Sequence, residues 1–124
     1  MTLTNVIAAK NGYKYRCVLT GVCGPIVNTT TATLTVNTIP AIVSQPTSKT
    51  ICFGNNTSFS FTGTGSGLTY QWYVNTGSGF TALSDGGVYS GSSTGTLTLT
   101  VPPATMNGYI YRCVGTAICA PTLT

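Results

Sequence analysis

The chain has 124 residues, 42% hydrophobic and only 5% charged, so it can bury a core and lacks the charge repulsion of a disordered chain. Five basic residues against one acid, with no histidine, give a formal net charge of +4. Yet Lys10, Lys14, Arg16, Lys49 and Arg112 are too scattered to build the basic face of a nucleic-acid binder, and no apolar run approaches the ~20 residues of a membrane span.

The first residues, MTLTNVIAAKNGYKY, lack the basic start and apolar run of a signal peptide. A secreted product would need its signal elsewhere, and the sequence then reads as an excerpt of a longer protein. Residues 31–36, TATLTV, alternate with period two and predict a strand with Ala32, Leu34 and Val36 on one face. NTIPAIVSQP at 37–46 carries two prolines, which suit a joint between modules or a kinked first strand. Further strands are predicted at TSFSF (57–61), YQWYV (70–74), TLTLTV (96–101) and YIYRC (109–113). Their inward faces would carry Phe59 and Phe61; Tyr70, Trp72 and Val74; Leu97, Leu99 and Val101; and Tyr109, Tyr111 and Cys113. Threonine and aromatic residues favour such half-buried pleats. Glycine-rich breaks at 63–67, 76–79 and 85–87 supply turns at the short spacing of a sandwich or barrel. No segment has helical spacing.

NGYKYRCVLTGVC at 11–23 returns as NGYIYRCVGTAIC at 107–119, an offset of 96 residues (107 − 11 = 96). Leu3 and Thr4 then match Leu99 and Thr100, Ala8 matches Ala104, and Pro25 matches Pro121. Residues 1–38 therefore read as the closing strands of one module, and 39–124 as a second module. The counterpart of TATLTV would begin at 127, so the second module is expected to lack its last strand and to leave a sheet edge open.

The second module resembles an immunoglobulin-like antiparallel β-sandwich. Trp72 falls where the third strand of that fold places its core tryptophan, and Tyr111, two residues before Cys113, resembles the tyrosine corner. Asn107 stands where the family often has Asp, and Phe61 where it usually has a cysteine. More closely, GLTYQWYVNTGSGFTALSDGGVYSGSSTGTLTLT followed by MNGYIYRC is similar to tandem Ig-like repeats in giant surface and secreted proteins of Bacteroidota. The resemblance implies an all-β chain located outside the cell or on its surface, with neighbouring copies of the repeat as partners. It transfers fold better than activity.

Enzymatic chemistry has little to work with. A single acid cannot form a carboxylate pair, and a cysteine nucleophile has no histidine beside it. Asp85 in SDGG reads as a turn residue rather than a calcium ligand, since calcium needs several oxygen ligands. No cofactor or metal is expected. Tyr73, Phe80 and Tyr89 are candidate ligand-facing aromatics for glycans, against the plainer reading of Phe80 and Tyr89 as edge caps. Asn28, Asn55 and Asn56 begin N-x-[ST] triplets, incidental in a bacterial protein.

Cys17, Cys23, Cys52, Cys113 and Cys119 form no CxxC pair, so disulfides are favoured over zinc. One full module carries Cys52, Cys113 and Cys119, an odd count. In the implied topology Cys52 and Cys119 lie at opposite poles. A bond from a Cys52-type residue to the Cys119-type residue of the following module is then expected, with Cys23 as an entry-pole equivalent and Cys113 reduced. A Cys52–Cys113 bond is the alternative.

The expected function is a structural or adhesive repeat in a stalk, fibre or surface adhesin. The alternatives are a carbohydrate-binding accessory module of a secreted enzyme and a strand-exchanging filament subunit.

Overall fold

The computed structural model describes residues 1–120 and 122–124. Pro121, the repeat partner of Pro25, lies outside them. The chain is all-β with antiparallel pairings throughout, and it divides into two compact units, Met1–Thr38 and Ile39–Thr124.

In the first unit a 3-10 turn, Ala8–Lys10, precedes β1 (Lys14–Tyr15), β2 (Val18–Leu19), β3 (Val27–Asn28) and β4 (Ala32–Thr33). β2 pairs with β3, and β1 with β4, so the four short strands nest as one extended hairpin. Among its described residues none is buried; Tyr15, Leu34 and Val36 are half-buried and most others exposed. A hairpin without a packed face is marginal in water.

The second unit contains β5 (Ala41–Ser44), β6 (Thr57–Ser60), β7 (Thr62–Thr64), β8 (Thr69–Asn75), β9 (Phe80–Ala82), β10 (Tyr89–Ser90), β11 (Thr96–Leu99), a 3-10 turn at Ala104–Met106, and β12 (Ile110–Thr116). One three-stranded sheet runs β10-β11-β6, another β12-β8-β9, and β5 pairs with β7 at an edge. Pro40 and Pro46 bracket β5, as proline tolerates the flanks of an edge strand, and a bulge between Ile42 and Ser44 kinks it.

The core lies between the two three-stranded sheets, an arrangement consistent with a β-sandwich. Phe61, Trp72, Val74, Leu83, Leu97, Leu99, Cys113 and Leu123 are buried, and Phe59, Tyr70, Tyr89, Tyr109 and Tyr111 pack against them half-exposed. The alternation that predicts the strands also sets these faces, because successive side chains of a strand point to opposite sides. Trp72 is wholly enclosed, and its Nε1–H donates to the Thr94 carbonyl at 2.8 Å. Phe59 reaches across to Tyr111, with ring centroids 4.9 Å apart.

Val101 does not continue the face of Leu97 and Leu99. The strand ends at Leu99, and Val101 turns to φ 44° with half its surface exposed. The two prolines that follow cannot supply N–H groups to a ladder, so the chain leaves the sheet here.

Candidate functional site

The three aromatic residues singled out from the sequence lie in different places. Tyr73 on β8 and Phe80 on β9 share the outer face of the β12-β8-β9 sheet, and Arg112 on β12 pairs in register with Tyr73. The guanidinium carbon of Arg112 sits 4.1 Å from the Phe80 ring centroid and 5.3 Å from that of Tyr73. Its Nε is buried and has no hydrogen-bond partner among the described residues. The only acid, Asp85, is engaged elsewhere: its Oδ1 accepts the Ser92 N–H at 2.7 Å. The side-chain hydrogen bond from Ser92, then its backbone N–H, hold the Asp85 carboxyl below its usual range. Tyr89 points the other way, into the core. Its hydroxyl lies 3.2 Å from that of Tyr111. Burial first, and then this hydrogen bond, keep the Tyr111 phenol protonated well above its ordinary range.

All five cysteines are free thiols. Cys17, Cys23 and Cys52 are exposed, Cys119 is half-buried, and Cys113 is in the core opposite Trp72. Cys52 lies beside Asn107–Tyr111 at the start of β12, whereas Cys119 follows its end. The seven residues of that strand, roughly 20 Å long at ~3.3 Å per residue, run between the end that lines this cavity and Cys119, and a disulfide spans only ~7 Å. No group of three or more metal-ligating side chains occurs among the described residues. Asn28, Asn55 and Asn56 are exposed, and the Asn56 side chain accepts the Val101 N–H at 3.0 Å.

A concavity runs along the edge of β12 that does not face β8. β12 pairs with β8 on one side only. On the other side, among the described residues, it is met at Gly115, which exchanges backbone hydrogen bonds of 2.8 and 2.7 Å with Leu123. The Gln45 side chain reaches the Thr124 carbonyl at 3.5 Å, so Leu123 and Thr124 enter a lane between residue 45 and β12. A groove of about 310 Å³ separates Pro46–Lys49 from Gly108–Tyr111, and a cavity of about 450 Å³ continues from it between Cys52, Phe59, Pro103 and Tyr109. Phe59, Tyr109 and Tyr111 line both.

The sequence repeat reappears as backbone geometry within each unit. The turns Ala8–Lys10 and Ala104–Met106 occupy the same repeat positions. Asn11 N–H donates to Ala8 O at 3.0 Å, and Asn107 N–H to Ala104 O at 3.1 Å. Gly12 and Gly108 have φ of 82° and 83°, left-handed values that favour glycine. Leu19 pairs with Val27 as Gly115 pairs with Leu123. The first unit then continues: Gly12 N–H donates to Leu34 O, Leu34 N–H to Tyr13 O, both at 2.8 Å, and Val36 N–H to the Asn11 side-chain oxygen at 2.9 Å. In the second unit the equivalent Gly108 N–H and Asn107 side chain have no partner among the described residues.

Sequence reasoning misses what lines this groove. The 46–53 segment has no strand periodicity, and only its folded position opposite Tyr109 reveals the groove. Arg112 as the centre of the aromatic cluster is also missed. The signal was there in principle, since Tyr73, Phe80 and Arg112 all fall on outward positions of their strands.

A scan of protein-family models finds no match to this chain, and a search of curated proteins finds no relative.

Proposed function

We propose that this chain is a piece of an extracellular array of immunoglobulin-like repeats, a structural or adhesive link in a stalk, fibre or surface adhesin. The observation that carries the reading is the duplicated backbone around residues 7–19 and 103–115. Turn, left-handed glycine and hairpin register all recur at the same 96-residue offset (108 − 12 = 96). Duplicated modules in tandem suit a spacer, and a surface built from Thr, Ser, Asn and Gly suits a setting where charge is not needed for solubility. Within such an array the opposite placement of Cys52 and Cys119 favours bonds between modules over bonds within one. The reading frame on either side of residues 1 and 124 should carry further copies at that period. Flanking sequence without any copy would overturn the array.

A second reading, a carbohydrate-binding accessory module, is favoured by one observation. Arg112, stacked on Phe80 and Tyr73 without an acidic partner, offers an aromatic and cationic face to an acidic sugar. A glycan array probed with the whole chain separates the two. Binding abolished by Arg112→Met would favour the second.

A further inference from the structure

We propose that the outer face of the β12-β8-β9 sheet binds a uronic-acid glycan, with Arg112 holding the carboxylate of one sugar and Tyr73 bearing its ring. The inference rests on the carbohydrate-binding reading and names the ligand class of that site.

Strand register builds the face. Arg112, Tyr73 and Ala82 form one row across the three strands, and Asn75 and Phe80 face each other in the next. Residues directly opposite in an antiparallel pair share a face of the sheet. The Arg112 side chain reaches across β8 and sets its guanidinium over the Phe80 ring. Its Nε is enclosed, and neither Nη has a protein partner among the described residues. Ala82 is exposed and has no bulk beyond Cβ, so Arg112 walls the half-buried Tyr73 on one side only. Hydrogen bonds hold both ends of the β8–β9 hairpin. Asn75 Oδ1 accepts the N–H groups of Gly77 and Gly79 at 2.8 and 3.1 Å, closing the turn that returns Phe80 opposite Asn75. Gln71 Nε2 donates to the carbonyls of Trp72 and Leu83 at 2.9 and 2.8 Å. A face fixed in this way loses little freedom when a ligand settles on it.

The chemistry of the cluster selects the ligand. A guanidinium stacked on a ring keeps its charge, and its planar N–H edge matches a carboxylate. With Nε enclosed, the edge on offer is the pair of Nη groups. No side-chain carboxylate of this chain competes for it, because Asp85, the single one, is bonded to Ser92. The flat faces of a pyranose carry C–H groups, and these pack on the electron-rich face of an aromatic ring. A densely sulfated glycan would call for clustered cations, whereas the five basic residues here are spread along the chain. One arginine flanked by two rings suits a glycan with one carboxylate on each sugar.

The test is isothermal titration calorimetry of the whole chain with oligomers of galacturonate, glucuronate, mannuronate and guluronate, each beside its methyl ester. At least one acid should bind, and its ester should bind about tenfold more weakly or worse, because the charged partner of Arg112 is gone. Arg112→Lys keeps the charge without the planar edge and should also weaken binding by about tenfold, with the unfolding curve of the parent chain. Tyr73→Ala should weaken binding of acid and ester alike. Arg16 stands at the repeat position of Arg112, is exposed, and touches no ring among the described residues. Arg16→Met removes an equal charge and should leave binding unchanged. The proposal is overturned if none of the four acids binds, if the ester binds as tightly as its acid, or if Arg16→Met costs as much as Arg112→Lys. A glutamate-rich peptide that binds as tightly as the best acid would overturn the sugar assignment as well. Neutral glycans captured by a chain that ignores all four uronates would sink this proposal alone and leave the carbohydrate-binding reading standing.

Discussion

Trp72 and Thr94 are joined across the sandwich by a single hydrogen bond, from the indole Nε1–H to the backbone carbonyl, at 2.8 Å. The bond fixes the centre of β8 to the turn between β10 and β11, where Trp72 N–H also donates to the Ser92 carbonyl at 2.8 Å. Trp72→Ala should cost about 3–5 kcal/mol, the range for deleting a large buried aromatic. Trp72→Phe should cost about 1–3 kcal/mol, because it leaves the Thr94 carbonyl without its partner. Urea denaturation followed by far-UV circular dichroism measures both. In the folded parent, iodide should fail to quench Trp72 fluorescence; ready quenching would contradict its place in the core.

Val101 is a β-branched residue held at φ 44°, and its repeat counterpart Asn5 has φ 51°. Asparagine tolerates this region far better than valine. Val101→Asn should therefore stabilise the second unit by about 1 kcal/mol, the low end of the cost of such a conformation. A rise in the denaturation midpoint with an unchanged slope is the expected result. A fall would show that the exposed valine contributes more by packing than it loses in strain.

Cys113 and Tyr111 make the fold sensitive to alkali. Burial pushes the Cys113 thiol up to about 11 from an ordinary value of 9.0. The unfolded chain gives up this proton first, so the stability it represents is complete below about pH 9 and is lost as pH rises toward 11. The phenol of Tyr111, raised by burial, extends the loss to higher pH. Cys113→Ala should flatten the curve between those two values. On the acid side only Asp85 is at stake: its lowered value means a contribution present above 3.8 and lost as pH falls below it. With no other side-chain carboxylate to protonate, the chain should stay folded in strong acid. A thiol reagent near pH 8 should modify Cys17, Cys23 and Cys52 quickly, Cys119 more slowly, and Cys113 only on unfolding.

Gly115 marks a point where only a small residue fits. A Cβ there would lie 3.2 Å from Phe61 Cε1 and 3.3 Å from Leu68 Cδ1. Gly115→Leu, which installs the residue of the other copy, should destabilise by at least the ~1–3 kcal/mol typical of overpacking. Gly115→Leu combined with Phe61→Ala should recover part of the loss, as chemical denaturation of the pair would show.

The strands were legible wherever one face is buried. TSFSF, YQWYV and YIYRC read correctly because Phe59, Trp72 and Cys113 recur at period two with their neighbours. Leu83 and Leu123 were not legible. Each is a lone apolar residue in an irregular segment, brought inward by bonds from elsewhere: Leu83 N–H to the Trp72 carbonyl, Leu123 to both groups of Gly115. Val101 was misplaced because alternation carries no information about where a strand stops. The aromatic candidates divided for a similar reason. Phe80 and Tyr89 lie on short strands of two or three residues, too few to reveal which face is which.

Gly115 also bears on how neighbouring modules of the proposed array would keep from tangling. Adjacent modules of similar sequence are prone to misassemble by exchanging equivalent strands during folding. Leu19 stands where Gly115 stands, so a strand carrying it cannot take the lane of β12 without driving into Phe61 and Leu68. The mismatch works as a key cut for one lock: the strand that carries Leu19 does not fit the place of β12.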